Sequence, residues 1–259
     1  EGNECYENEM AGIGSRLGAA PVIRGNRCYR NQMAGIGARE GARPVIEDNE
    51  CFENRMAGIG TQQDAVAVIR GNRCHHNVMA GIGSRLGARP VIVDNDCYEN
   101  QMAGVGSREG AAPVIRSNRS FKNQMAGFGN RRGARSVLVD NEARENLMAG
   151  IGVRDKQTVA VIIANRCLEN RLVAVGLPDG ATGLIHGNRL LRTGGGAPPL
   201  VAVKGGSRGI VSHNSISGGG VAGVLVQGHV LVVGNRFQGK GPGQGSAIWV
   251  WKGSHLTAT

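Results

Sequence analysis

Apolar positions along this chain come in short runs, such as "PVI" and "AGIG", separated by Gly, Asn and Asp. Runs of that length bounded by those residues are strand and turn signals. No window carries a sustained apolar stripe at a 3.6-residue period. Glycine at this density, 43 in 259 residues, would cost a helix about 1 kcal/mol at each occurrence. Helical repeats are thereby excluded, and the pattern predicts an all-β chain of many short strands.

The strands recur at a fixed interval. Asn3, Asn26, Asn49, Asn72, Asn95, Asn118 and Asn141 lie 23 residues apart, and Asn165, Asn188, Asn214 and Asn235 continue with spacings of 24, 23, 26 and 21. A second Asn follows five residues later, from Asn8 through Asn170, and all 7 Met, Met10 to Met148, keep the same period. A leucine-rich repeat needs Leu at several fixed positions before its Asn, and "RPVIEDN" supplies none. What remains is a parallel β-helix, in which each coil pairs in register with the coils above and below, about 4.8 Å away. Equivalent residues then stack into ladders. Asn suits a ladder at a sharp corner, because its amide both donates and accepts and tolerates turn conformations. The expected fold is a single-stranded right-handed parallel β-helix, a solenoid of about eleven coils, mostly 23 residues per coil; right-handedness follows the general preference of parallel crossovers. At one strand spacing per coil the rod is roughly 50 Å long.

The stretch "VIRGNRCYRNQMAGIG" (residues 22–37) resembles the repeat of the right-handed parallel β-helix superfamily, the pectin-lyase-like group, and most closely its NosD-like and CASH-type (carbohydrate-binding and sugar-hydrolase) branches. The resemblance covers the whole chain, strongly to about residue 163 and loosely beyond. It implies a right-handed coil, a sugar-related role and a periplasmic or extracellular location. It marks coils and no catalytic centre.

Residues 1–259 read as a single β-helix domain, highly regular over 1–163 and irregular, Gly-rich and basic over 164–259, where stretches such as "RTGGGAPPL" and "SISGGG" predict longer turns protruding from the stack. The first part holds 21 basic and 18 acidic residues, the second 9 and 2, within a formal charge of +10. Such a surface attracts anionic polymers in a salt-dependent way. With few exposed aromatics expected for base stacking, specific nucleic-acid recognition is not. No signal peptide, lipidation motif or membrane span is visible. The chain opens mid-repeat with "EGNECYENE", as a fragment of a longer protein would, so localisation stays open. Without an evident N-terminal cap, self-association or a partner at a coil end is a further expectation. Trp249 and Trp251 alternate with Val250 in the last coil, placing them on one face of a strand, where they either close the core or form a contact patch.

Cys5, Cys28, Cys51, Cys74, Cys97 and Cys167 all lie two residues after the Asn, with Ser120 and Ala143 in the same slot. That slot asks for a small inward side chain. Parallel Cβ directions suit disulfides poorly, and a linear ladder gives no tetrahedral metal shell, so a reduced stack is expected, with no metal and no cofactor.

The position after the Asn alternates in sign: Glu4, Arg27, Glu50, Arg73, Asp96, Arg119, Glu142, Arg166. Alternation gives each carboxylate cationic neighbours and penalises a one-coil slip, while each exposed pair contributes only about 0–1 kcal/mol. A second stripe does not alternate. Arg16, Arg39, Arg85, Arg108, Arg131 and Arg154 occupy one position after the "AGIG" strand, with Gln62 as the exception. The next position offers Glu40, Glu109 and Asp155 but also Leu17, Leu86 and Arg132, so internal compensation is partial. Guanidinium groups in a row suit a polyanion, and these six arginines are the candidate ligand-binding residues.

Sugar hydrolysis ordinarily needs two carboxylates at a set separation, and the irregular part holds only Glu169 and Asp179. Lyase or epimerase chemistry needs a base and a cationic stabiliser; His186, His213, His229, Lys204 and Arg208 are the residues there that could serve. With no local exception to the repeat, no catalytic residue is assigned. The expectation is a non-enzymatic scaffold or binding rod whose ligand is an acidic polysaccharide. The alternatives are a polysaccharide lyase or epimerase with its site in the C-terminal third, and a structural element that stacks end to end or on a protein partner.

Overall fold

The computed structural model describes residues 1–194, 196–239 and 245–259. Its strands form three parallel sheets of eleven strands each, every strand pairing with its counterpart one coil away. We call them sheet A (Glu4–Tyr6 through Arg236–Gln238), sheet B (Ile13–Ser15 through Ser246–Val250) and sheet C (Val22–Arg24 through His255–Ala258). Registers fall on identical or similar residues, such as Cys51 on Cys74, Ile59 on Ile82 and Ile69 on Ile92. Each sheet thus sends an apolar row inward, mainly Cys from A and Ile from B and C, and the three rows form one continuous core. Each fully buried Ile contributes roughly 1.5–3 kcal/mol. The cysteines are free thiols, and burial pushes the Cys167 thiol up to about 12, which leaves it a small hydrophobic filler. Ser120 fits the same slot because its hydroxyl donates to Gly127 O at 2.8 Å.

Both Asn series turn inward at the corners, the first between sheets C and A and the second between A and B. Asn72 donates from its backbone N and from Nδ2 to Asn95 Oδ1, both at 2.9 Å, and from Nδ2 to Ile46 O. In the second series Asn54 Nδ2 reaches Asn77 Oδ1 at 3.0 Å and Cys28 O at 3.0 Å. Every polar atom of these buried amides is therefore engaged. The second series ends at Asn170. One coil on, the buried Arg192 guanidinium donates to the carbonyls of Arg171, Leu172 and Pro198. Arg192 ties the Pro198 end of the "RTGGGAPPL" turn to the stack, while Thr193, Gly194, Gly196 and Ala197 stay exposed; residue 195 lies outside the described residues.

The alternating charges pair as expected: Arg27 meets Glu4 at 2.8 Å and Glu50 at 3.1 Å, and Arg119 meets Asp96 at 2.6 Å. A third ion ladder, not anticipated from sequence, lies on sheet C, where buried Glu47 is clasped between Arg24 and Arg70. Arg70 and then Arg24 hold its carboxyl below the usual carboxylate range. A depressed folded-state pKa contributes stability that is present above the unfolded value and lost as pH falls through the folded one.

Two outcomes follow for stability. Asn95→Ala strands the Asn72 amide and the Ile69 and Val93 carbonyls, and should cost about 1–3 kcal/mol per stranded buried group in denaturant unfolding, against about 0–1 kcal/mol for Arg119→Ala. The stability difference between wild type and Glu47→Gln should be full at neutral pH and shrink below the unfolded glutamate pKa; a difference that persists unchanged in strong acid would contradict the clasp.

Candidate functional groove

The strand at Ile82–Ser84 shows how sheet B builds its outer face. Ile82 and Ser84 point into the core, leaving Ala80 and Gly83 outside, with Met79 before them and Arg85 after. The two glycines of each "AGIG" play different parts. A Cβ on Gly81 would lie 2.8 Å from Gly104 O and 2.9 Å from Asn100 Nδ2, so close approach of the next coil demands glycine there. A Cβ on Gly83 would meet only Ala57 Cβ, at 3.5 Å, an ordinary contact. From Gly37 to Gly152 the nearest neighbour of that outward position stays at 3.5–3.8 Å, and none of the six has positive φ. The fold would accept a methyl group in each of these coils, and each omits it.

The result is a straight groove over eight coils, from Met10 to Pro178, with a volume of about 690 Å³ and a length of roughly 35 Å at one strand spacing per coil. Ala and Gly rows form its floor, the Met row followed by Leu172 forms one wall, and the arginine stripe forms the other. All six predicted arginines line it. Arg39 reaches Glu40 at 3.5 Å, Arg108 reaches Glu109 at 3.7 Å, and Arg154 reaches Asp179 at 2.8 Å. Arg85 donates to Gln62 Oε1 at 2.7 Å, so the exceptional glutamine serves as a neutral acceptor. Among the described residues Arg16, Arg85 and Arg131 have no carboxylate at ion-pair distance. Burial, and after it the neighbouring Arg108 and Arg132, lower the Arg131 pKa, as expected of a cation short of an anion.

Sequence spacing missed one residue at this register position, one coil beyond the lining, which ends at Pro178. The stripe residue donates its backbone N to the last strand residue one coil back, as Arg131 does to Ser107 O; Lys204 does the same to Leu177 O. Pro178 and the longer turn before Lys204 break the count. Both tryptophans also belong to this face. Trp249 pairs with Leu225 in the floor row, and Trp251 donates to Val226 O from the stripe position. They stay 43% and 42% exposed, so they do not close the core; Ile248 packs there instead.

The other candidates are scattered. His186 and His213 sit 5.3 Å apart at the C-to-A corner, with His186 Nδ1 2.9 Å from Ser212 Oγ. Arg208 and His229 begin sheet C strands, at the opposite end of that sheet. Glu169 binds the Thr193 amide and hydroxyl at 2.8 Å, and Asp179 is engaged with Arg154. Neither carboxylate lies among the residues lining the groove. Sheet A carries a feature that sequence reading overlooked: Tyr6, Tyr29, Phe52, His75, Tyr98 and Phe121 stack face to face, neighbouring centroids 4.7–5.2 Å apart. The 23-residue spacing could have revealed it, but the mixture of Tyr, Phe and His conceals the row. Among the described residues no group of three or more His, Cys, Asp or Glu could hold a metal, and no helix is long and apolar enough to cross a membrane.

This architecture defines a β-solenoid with one long lateral groove. The family model "Right handed beta helix region" matches residues 1–84, 35–161 and 130–259, and the chain belongs to that family. No curated protein sequence matches it. Among solved structures it is similar to the Azotobacter vinelandii mannuronan C-5 epimerase AlgE6 A-module, with 16% identity, 98% of this chain and 83% of that chain covered, and a TM-score of 0.65. It is also similar to a double mutant of the periplasmic alginate epimerase AlgG, with 13% identity, coverages of 95% and 73%, and a TM-score of 0.66. Pectate lyase Pel9A gives 11% identity, coverages of 85% and 69%, and a TM-score of 0.51. At these identities the likeness establishes the fold.

The two glycine rows make a direct test of the groove floor. Gly81→Ala should destabilise by about 1–3 kcal/mol through overpacking, whereas Gly83→Ala should stay within about 0.5 kcal/mol of wild type. Equal losses in denaturant unfolding would mean that the outward row is also needed for packing.

Proposed function

We propose that this chain is a binding rod for an acidic polysaccharide, held lengthwise in the sheet B groove. The observation that carries this is the pairing of a flat Ala and Gly floor with a like-charged wall. A uronate ring has an apolar C–H face for such a floor and a carboxylate for the guanidinium groups. The coil rise of roughly 4.8 Å is close to the length of one pyranose unit, so a chain in the groove offers about one carboxylate per coil. The structural neighbours lend support, since their names refer to mannuronan, alginate and pectate.

A lyase or epimerase activity is the second reading, favoured by those same neighbours and by the irregular coils that follow the groove. Lys204, at the stripe position one coil beyond the groove lining, is the residue through which it would join the groove. Against it stands the lining itself, where no Asp, Glu, His or Tyr is found among the described residues. Proton abstraction needs a base within about 3 Å of the proton or one water away, and arginine is a poor one at neutral pH.

The Arg108→Ala, Arg131→Ala double variant should weaken retention on immobilised polyuronate at least tenfold at low salt, with unfolding close to wild type, and the difference should narrow as salt rises. Unchanged retention would remove the stripe from the binding site. Formation of unsaturated or epimerised sugar by purified protein would replace the binding rod by the enzyme.

A further inference from the structure

The outward floor row of sheet B changes character along the rod. It is glycine in every coil from Gly14 to Gly176, and the register then carries it to Ala202, Leu225 and Trp249. Side-chain volume therefore rises step by step from nothing to an indole within three coils. In the last of them Trp251 replaces the stripe arginine, and the two indoles meet edge to face with centroids 6.3 Å apart. The lining of the groove ends at Pro178, and in the coils beyond it the floor row and the stripe position both finish on aromatic rings.

We infer that the groove is one-ended and takes a chain terminus of its polyanion, with Leu225, Trp249 and Trp251 as the stop. This rests on the polyuronate binding proposed above. A polymer lying on the glycine floor cannot continue at the same depth past Ala202, because the Leu225 and Trp249 side chains occupy its path. A terminal ring can end at that step, where Leu225 is buried and the indoles, about two-fifths exposed, offer the apolar face for its C–H groups. The stripe position carries Gln227 and Trp251 in the last two coils, so the end of the polymer is recognised by ring contact and the units over the arginine coils by their carboxylates.

Trp249 and Trp251 are the only 2 Trp in the chain, so tryptophan emission reports this end of the groove alone. The full chain is titrated at low salt with polymannuronate fractions of increasing length, following emission and calorimetric stoichiometry together. The expected result is a saturable emission change that tracks binding, with the number of protein molecules per polymer chain independent of polymer length. Binding with unchanged emission, or with protein bound in proportion to polymer length, would overturn the stop and leave lengthwise binding intact. Absence of any binding would overturn both. A Leu225→Gly, Trp249→Gly double variant should remove both floor-row side chains of the stop and raise the protein bound per long chain; because the wild-type stoichiometry decides the question by itself, fraying of the last coil in that variant would not rescue a failed stop.

Discussion

A buried side-chain amide that finds no partner costs about 1–3 kcal/mol, and in this chain the partner of each corner Asn is the same Asn one coil further on. That constraint sets the register of everything else. Once Asn72 lies on Asn95, Cys74 must lie on Cys97 and Val68 on Val91, and any residue type repeated in sequence becomes a row in space. Surface properties of such a molecule come as stripes. The opposite-charge stripes relieve themselves by alternating, but the arginine stripe cannot, and Glu40, Glu109 and Asp179 neutralise only part of it. Cations left in a row beside an apolar floor disfavour one another's charged form, a cost that an anion laid alongside would offset.

Much of this was legible in the sequence because the period is both a sequence and a spatial quantity. Fold class, coil count, both Asn ladders, the thiol row and the alternating ion ladder follow from counting by 23. The position of the arginines was legible too, but the groove was not. Gly81 and Gly83 are the same letter, and only the path of the next coil shows that one is demanded by a carbonyl at 2.8 Å while the other has only an ordinary contact, Ala57 Cβ at 3.5 Å. The tryptophans were placed on a common face correctly, yet which face depends on the inward position of Ile248. Lys204 was lost to a shift in count caused by the turn before it. The Glu47 clasp involves three coils only, too few to stand out as a period.

Regularity also limits chemistry. Eight equivalent coils offer eight equivalent environments, and a reactive centre needs one position unlike the rest. The symmetry breaks where the second Asn series stops. Beyond Asn170 a guanidinium, that of Arg192, takes over at the A-to-B corner, supplying donors to Leu172 O and Pro198 O that an Asn could not reach together. In that coil the corner beside the Met wall lengthens, the wall ends, and the floor begins to rise through Ala202.

These changes share one location, and their order has a physical logic. A uniform track binds a uniform polymer equally well in every register, so by itself it fixes neither position nor direction. A structural break at one end removes that degeneracy, because only one placement sets the polymer terminus against the break while filling all the coils before it. The energy that distinguishes this placement comes from the end contacts alone; the stripe contributes affinity common to all placements. In this molecule the break is built from side chains larger than glycine at a position where the preceding coils have none. Direction along the rod is thereby written into side-chain size, on a backbone whose repeat is nearly the same throughout.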